Sequence, residues 1–170
     1  MQRPTSVTVF GILNIVFAAL AILGLIGSIA LFFVPAANNP VIKIIHENPF
    51  YAAWLKISIL LGLLSCSALL AAGIGLLRLK SWARTLSIVY AIYAIVFGIL
   101  GTVVNFIFLV EPMLKEAQHQ QGPEAASALG GAIGGSFGGC LGMIYPVLLL
   151  FFMTRPAVVA AFQPTAPPRM

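Results

Sequence analysis

GGAIGGSFGGCLG, from Gly130 to Gly142, has glycine at seven of its thirteen positions, and the glycines keep a fixed spacing. Gly130, Gly134, Gly138 and Gly142 are four apart, and Gly131, Gly135 and Gly139 repeat that interval one residue on. On an α-helix the two rows lie side by side as one stripe bare of side chains. Such a helix is poor in water, where each glycine costs about 1 kcal/mol relative to alanine. Hydrocarbon reverses the balance, because an unpaired backbone group there is far more costly and the helix pairs its own backbone internally. In a bilayer the stripe becomes a surface that a second helix can approach closely, with a crossing near about −40°.

Composition places the rest of the chain in the same solvent. Of 170 residues, 61% are apolar and 8% charged, and aspartate is absent. A soluble domain needs more polar surface, whereas a spanning helix needs only about 20 apolar residues in a row. The formal charge of +5 does not point to nucleic acid. The basic residues are scattered among loops, with no aromatic and basic reading surface beside them. Cys66 and Cys140 sit inside apolar runs, where small packing residues are expected and a disulfide or metal pair is not.

The expected fold is all-α: an integral membrane four-helix bundle occupying residues 1–162, with a disordered tail over 163–170. Spans are expected at about 7–34, 52–77, 85–110 and 126–153. Without the glycine rows, the apolar piece from Cys140 to Met153 is too short to cross, so the fourth span must include them. Asn38-Asn39-Pro40 breaks the first helix. Val41 to Glu47 then reads as a short amphipathic helix in the membrane interface, closed by Asn48-Pro49, which also caps the next helix. Phe50, Tyr51 and Trp54 are expected to form an aromatic belt at the headgroup level. Arg78 to Arg84 is a short basic turn that forces spans two and three into an antiparallel hairpin. Glu111 and Pro112 are expected to end span three, and Met113 to Gln121 to form about two further helical turns. Pro146 should kink the last helix.

Small residues on span two, Ser67, Ala71 and Gly75, are spaced by four and offer a partner row for the glycine stripe, so packing within the chain is expected ahead of pairing between chains. Asn14 and Asn105 are the polar residues inside spans one and three. Interhelical hydrogen bonds are the expected use, and lining a narrow polar path is the alternative. The two should lie at different depths. No carboxylate pair, metal-binding spacing, nucleophile with its base, or mid-span lysine or arginine is present, so an enzyme, a cofactor, a bound metal and a proton relay are not expected. His46 beside Glu47 lacks any second ligand and reads as solvated. Gly73-Ile74-Gly75 lacks the third glycine and preceding strand of a nucleotide loop.

Orientation follows from the cations. Arg3, Arg78, Lys80, Arg84, Arg155 and Arg169 fall on one side. Lys43, Lys56 and Lys115 fall on the other, with all four glutamates. Lysine and arginine stay on the cytoplasmic side, so both termini are expected there.

Gly73-Ile74-Gly75-Leu76-Leu77 followed by Trp82-Ala83-Arg84, together with Arg3-Pro4-Thr5-Ser6-Val7 and Arg155-Pro156-Ala157-Val158, resembles small four-span inner-membrane proteins of uncharacterised bacterial families. The resemblance implies a multi-pass protein of the bacterial inner membrane and carries over no functional residues. The function expected is structural, through helix–helix interaction, with a passive small-solute pore or transporter subunit as the alternative. Its partners would be the lipid bilayer and a second copy or another membrane protein.

Overall fold

The computed structural model describes residues 5–33, 40–119, 130, 134 and 141–162. Among these residues the ordered elements are all helical. Helix α1 covers Thr5–Ala30 and runs into a single 3-10 turn at Leu31–Phe33. Helix α2 is Pro40–Glu47, and α3 is Pro49–Leu77. Helix α4, Ser81–Asn105, continues through a π-helical segment at Phe106–Val110 into α5, Glu111–His119. Helix α6 is Leu141–Met153 and α7 is Pro156–Ala161.

Three helical stretches, Thr5–Ala30, Pro49–Leu77 and Ser81–Lys115, are long and apolar enough to cross a membrane. These stretches carry large exposed apolar side chains, such as Leu23 and Ile26 on α1, Leu60 and Leu64 on α3, and Val96 and Ile99 on α4. In water such a surface would aggregate; in lipid it is solvated. At about 1.5 Å per residue, α6 alone is about 20 Å long and falls short of a hydrocarbon core of about 30 Å.

One end of the bundle is sealed by a cluster that joins five helices. Val7 and Phe10 of α1, Leu76 of α3, Ala83 and Ala91 of α4, Leu149 and Met153 of α6, and Val158 of α7 are buried together. The start of α1, the end of α3, the start of α4 and the end of α6 therefore meet at one end. The connection between α3 and α4 is correspondingly tight. Lys80 N–H donates to Gly75 C=O (2.9 Å) and Leu79 N–H to Leu76 C=O (3.0 Å), the paired bonds of a Schellman stop. Leu79 carries the left-handed φ of 51° that glycine usually supplies there. Its side chain packs on the sealed cluster, which offsets that backbone cost. At the same corner a methyl group on Gly75 would come within 2.5 Å of Ala83 Cβ, so only glycine lets α3 and α4 close.

A second, smaller cluster lies towards the other end. Val110 and Met113 are buried with Ile44, Leu109 and Leu114 packed against them, so the π segment and α5 fold over α2. Helix α2 is amphipathic as its residues require: Ile42 and Ile45 are buried, while Lys43, His46 and Glu47 are exposed. Asn48 caps α3 by accepting from Tyr51 N–H at 3.0 Å, with Pro49 in the first turn.

Two expectations are corrected here. Pro112 does not end the helix of the expected third span, because that helix widens before it: Glu111 N–H donates to Phe106 C=O, five residues back. A proline ring clashes with the carbonyl four residues before it in a regular helix, and the wider π turn relieves that clash. The aromatic belt is the second. Phe50 is exposed, but Tyr51 is 2% exposed and Trp54 half-buried. Trp54 stacks on Phe97 of α4 at 5.9 Å and 7°, and Tyr51 stacks on Phe108 at 6.5 Å. Rings three residues apart on α3 share the face that α4 covers, so they glue two helices together.

Candidate functional site

Helices α1 and α3 cross with their backbones in close approach. A methyl group on Gly73 would sit 2.9 Å from Gly11 C=O and 3.0 Å from Asn14 Cβ, and one on Gly11 would meet Leu77 at 2.8 Å. Backbone thus lies almost on backbone, which is what small residues allow in lipid. Further along the same pair, Gly62 receives Leu25 of α1.

Asn14 is fully buried at this crossing. Its Oδ1 accepts the hydroxyl of Tyr145, so α1 is hydrogen-bonded to α6. Its Nδ2 is buried without a hydrogen-bond partner among the described residues. Asn105 is engaged at the far end of the bundle. Tyr51 donates its hydroxyl to Asn105 Oδ1 at 2.7 Å, and Asn105 Nδ2 donates to Gly101 C=O at 2.8 Å. Gly73 and Tyr51, the α3 residues beside the two asparagines, are about 33 Å apart along the helix at 1.5 Å per residue. The structure therefore brings Asn14 and Asn105 into no common site.

The hydroxyls nearby are spent on their own helices. Ser28, Ser67, Ser87 and Thr102 each donate to the carbonyl four residues back, at 2.8 to 3.0 Å.

Beside Asn14 an open cleft of about 470 Å³ runs between α1, α3, α4 and α6. Leu13, Phe17 and Ala21 form the α1 wall, Leu69 and Tyr90 the floor, and Leu141, Gly142, Ile144, Tyr145, Pro146 and Leu148 the α6 wall. Phe17 lies against the Tyr145 ring at 4.2 Å. Nothing in the sequence marked Tyr145 as Asn14's partner, since 131 residues separate them.

Of the glycine stripe, Gly130, Gly134 and Gly142 are described. A methyl group on any of the three would meet nothing within 4 Å, and all three are exposed. The packing within the chain expected of the stripe is therefore not found at these positions; Gly131, Gly135, Gly138 and Gly139 lie outside the described residues, as do Cys140 and the tail. Of the matching row on α3, Ser67 is exposed, Ala71 is half-buried, and Gly75 is taken up by Ala83 and Trp82 of α4. Small residues that the spacing did not single out, Gly11 and Gly73, make the crossing instead.

Arg84 Nε donates to Met153 C=O at 2.9 Å, tying the start of α4 to the end of α6. Arg155 lies over the rings of Phe151 and Phe152 at 4.6 and 4.8 Å. No group of three or more His, Cys, Asp or Glu that could hold a metal ion occurs among the described residues.

These features define a helical bundle of membrane-protein type, with three helices of spanning length. Comparison with protein-family models, curated proteins and solved structures finds no match to the chain.

Proposed function

We propose that the protein is a four-span protein of the bacterial inner membrane, with both termini in the cytoplasm, that acts by binding another transmembrane helix through its glycine stripe. The observation that carries this reading is the open space over Gly130, Gly134 and Gly142, while Gly11, Gly62, Gly73 and Gly75 hold the bundle together. Stripe glycines that the described residues leave uncovered are available to a neighbour. A second copy of the chain is the simplest occupant, because a two-fold axis lays the same row on itself and glycine facing glycine gives the closest approach.

Gly130 and Gly134 are themselves helical, which supports a fourth span running from about 126 through α6. The sealed end carries Arg78, Lys80, Arg84 and Arg155, which supports a cytoplasmic placement for that end. Helices α2 and α5 then cap the outer side, with α2 lying in the interface. A passive path for small solutes is the alternative. The separate, tyrosine-bonded asparagines and the back-bonded hydroxyls favour the interaction reading over it.

The test is the double substitution Gly130→Leu with Gly134→Leu in the full chain, followed by native-size analysis in mild detergent. A folded monomer that has lost a larger species supports the proposal. An unchanged size distribution overturns it.

A further inference from the structure

The orphaned amide of Asn14 and the cleft beside it belong together. We propose that the cleft between α1, α4 and α6 binds a membrane-dissolved apolar molecule carrying a carbonyl, which accepts a hydrogen bond from the Tyr145 hydroxyl. This site is separate from the chain–chain contact proposed above and stands or falls independently of it.

Three observations lead there. The cleft has the volume and the apolar walls of a small-ligand site, where a few polar groups set orientation. Its depth is the second. With the sealed end at the membrane surface, as the proposed function has it, Asn14, about 14 Å along α1 from Thr5, and Tyr145, about 12 Å along α6 from Met153, lie near the middle of a hydrocarbon core about 30 Å thick. Phospholipid ester groups stay near the headgroups, so their acyl tails bring no acceptor to that level. A carbonyl on a freely dissolved apolar molecule reaches it.

The third is the unmet donor. Tyr145 gives its proton to Asn14 Oδ1, so Asn14 Nδ2 is left buried without an acceptor among the described residues. If the amide turns over, Nδ2 donates to the Tyr145 oxygen, and the hydroxyl proton is released to an acceptor in the cleft. Each bond in the chain from Nδ2 to Tyr145 to ligand carbonyl then polarises the next. The group left over is a carbonyl oxygen, which proteins leave unpaired more readily than an N–H. An alkyl chain offers no acceptor and leaves the amide as it was.

The experiment uses the full chain in phosphatidylcholine vesicles and a benzophenone bearing a decyl chain, whose carbonyl is the acceptor and whose irradiation labels neighbouring C–H bonds. Label should concentrate on Phe17, Leu141 and Ile144. A long-chain dialkyl ketone should displace it at about threefold to tenfold lower concentration than the matching alkane, the selectivity of one hydrogen bond. Tyr145→Phe should erase that difference. Ala21→Trp, which fills the cleft from a lining position outside both the hydrogen-bonded pair and the Phe17–Tyr145 ring contact, should abolish labelling there and serves if Tyr145→Phe fails to fold. Three results overturn the proposal. Label spread evenly over lipid-facing Ile57, Leu60 and Leu64 means no site. Equal displacement by ketone and alkane means a lipid tail occupies the cleft. Labelling that vanishes as protein is concentrated in the vesicles means a second copy does.

Discussion

Gly73 shows how little room the α1–α3 crossing leaves. Adding one methyl group places a carbon 2.9 Å from the Gly11 carbonyl, and backbone cannot swing aside as a side chain can. Gly73→Ala should therefore destabilise the bundle by about 1–3 kcal/mol, the usual range for overpacking. Gly130→Ala should be neutral or stabilising by up to about 1 kcal/mol, because its methyl group meets open space and alanine is the better helix former. Reversible unfolding of both variants in mixed detergent micelles separates the two outcomes. Asn105 makes a different kind of link. Asn105→Leu removes the acceptor for the buried Tyr51 hydroxyl and should cost about 1 kcal/mol, the common scale for a hydrogen bond between membrane helices. The double variant with Tyr51→Phe should recover part of that loss, since no hydroxyl is then stranded.

Among the elements, the ends of helices carry more of the fold than their interiors. Arg84 satisfies a terminal carbonyl of α6 and brings a positive charge to that helix's C-terminus, where the macrodipole favours it. Arg84→Gln should weaken the docking of α6 by about 1 kcal/mol, after allowance for partial exposure, and should speed amide exchange around residues 150–155. The hairpin between α3 and α4 was legible in the sequence, because Arg78 to Lys80 is too short for any other connection. The cap of α3 was legible too, since Asn48-Pro49 is a start signal at the scale of three residues. The path through Pro112 was not. A π turn has no residue signature of its own, so proline there reads as a stop until the widened backbone is seen. The turn of Tyr51 and Trp54 inward was hidden for a related reason: aromatic residues near a span end suit a lipid interface and a helix interface equally, and the stacking of Trp54 on Phe97 comes from residues 43 apart.

For the whole molecule, composition alone carried the membrane class, and the three long helices agree with it. The pairing of helices was far less legible. Gly11 and Gly73 carry no conspicuous repeat, while the most repetitive glycines of the chain stand uncovered where they are described. Spacing reveals which faces are smooth, but which smooth face meets which depends on contacts between residues 62 apart. Among the described residues the bundle thus uses one set of small residues to hold itself together and leaves another uncovered, and that division is the central claim. It is tested most directly by Gly134→Cys in a chain whose Cys66 and Cys140 are replaced by alanine, oxidised in its native membrane and run without reductant. A covalent dimer of the chain is predicted, with Gly73→Cys in the same background giving none. A monomer at Gly134→Cys under conditions that crosslink an exposed control such as Leu60→Cys would contradict it.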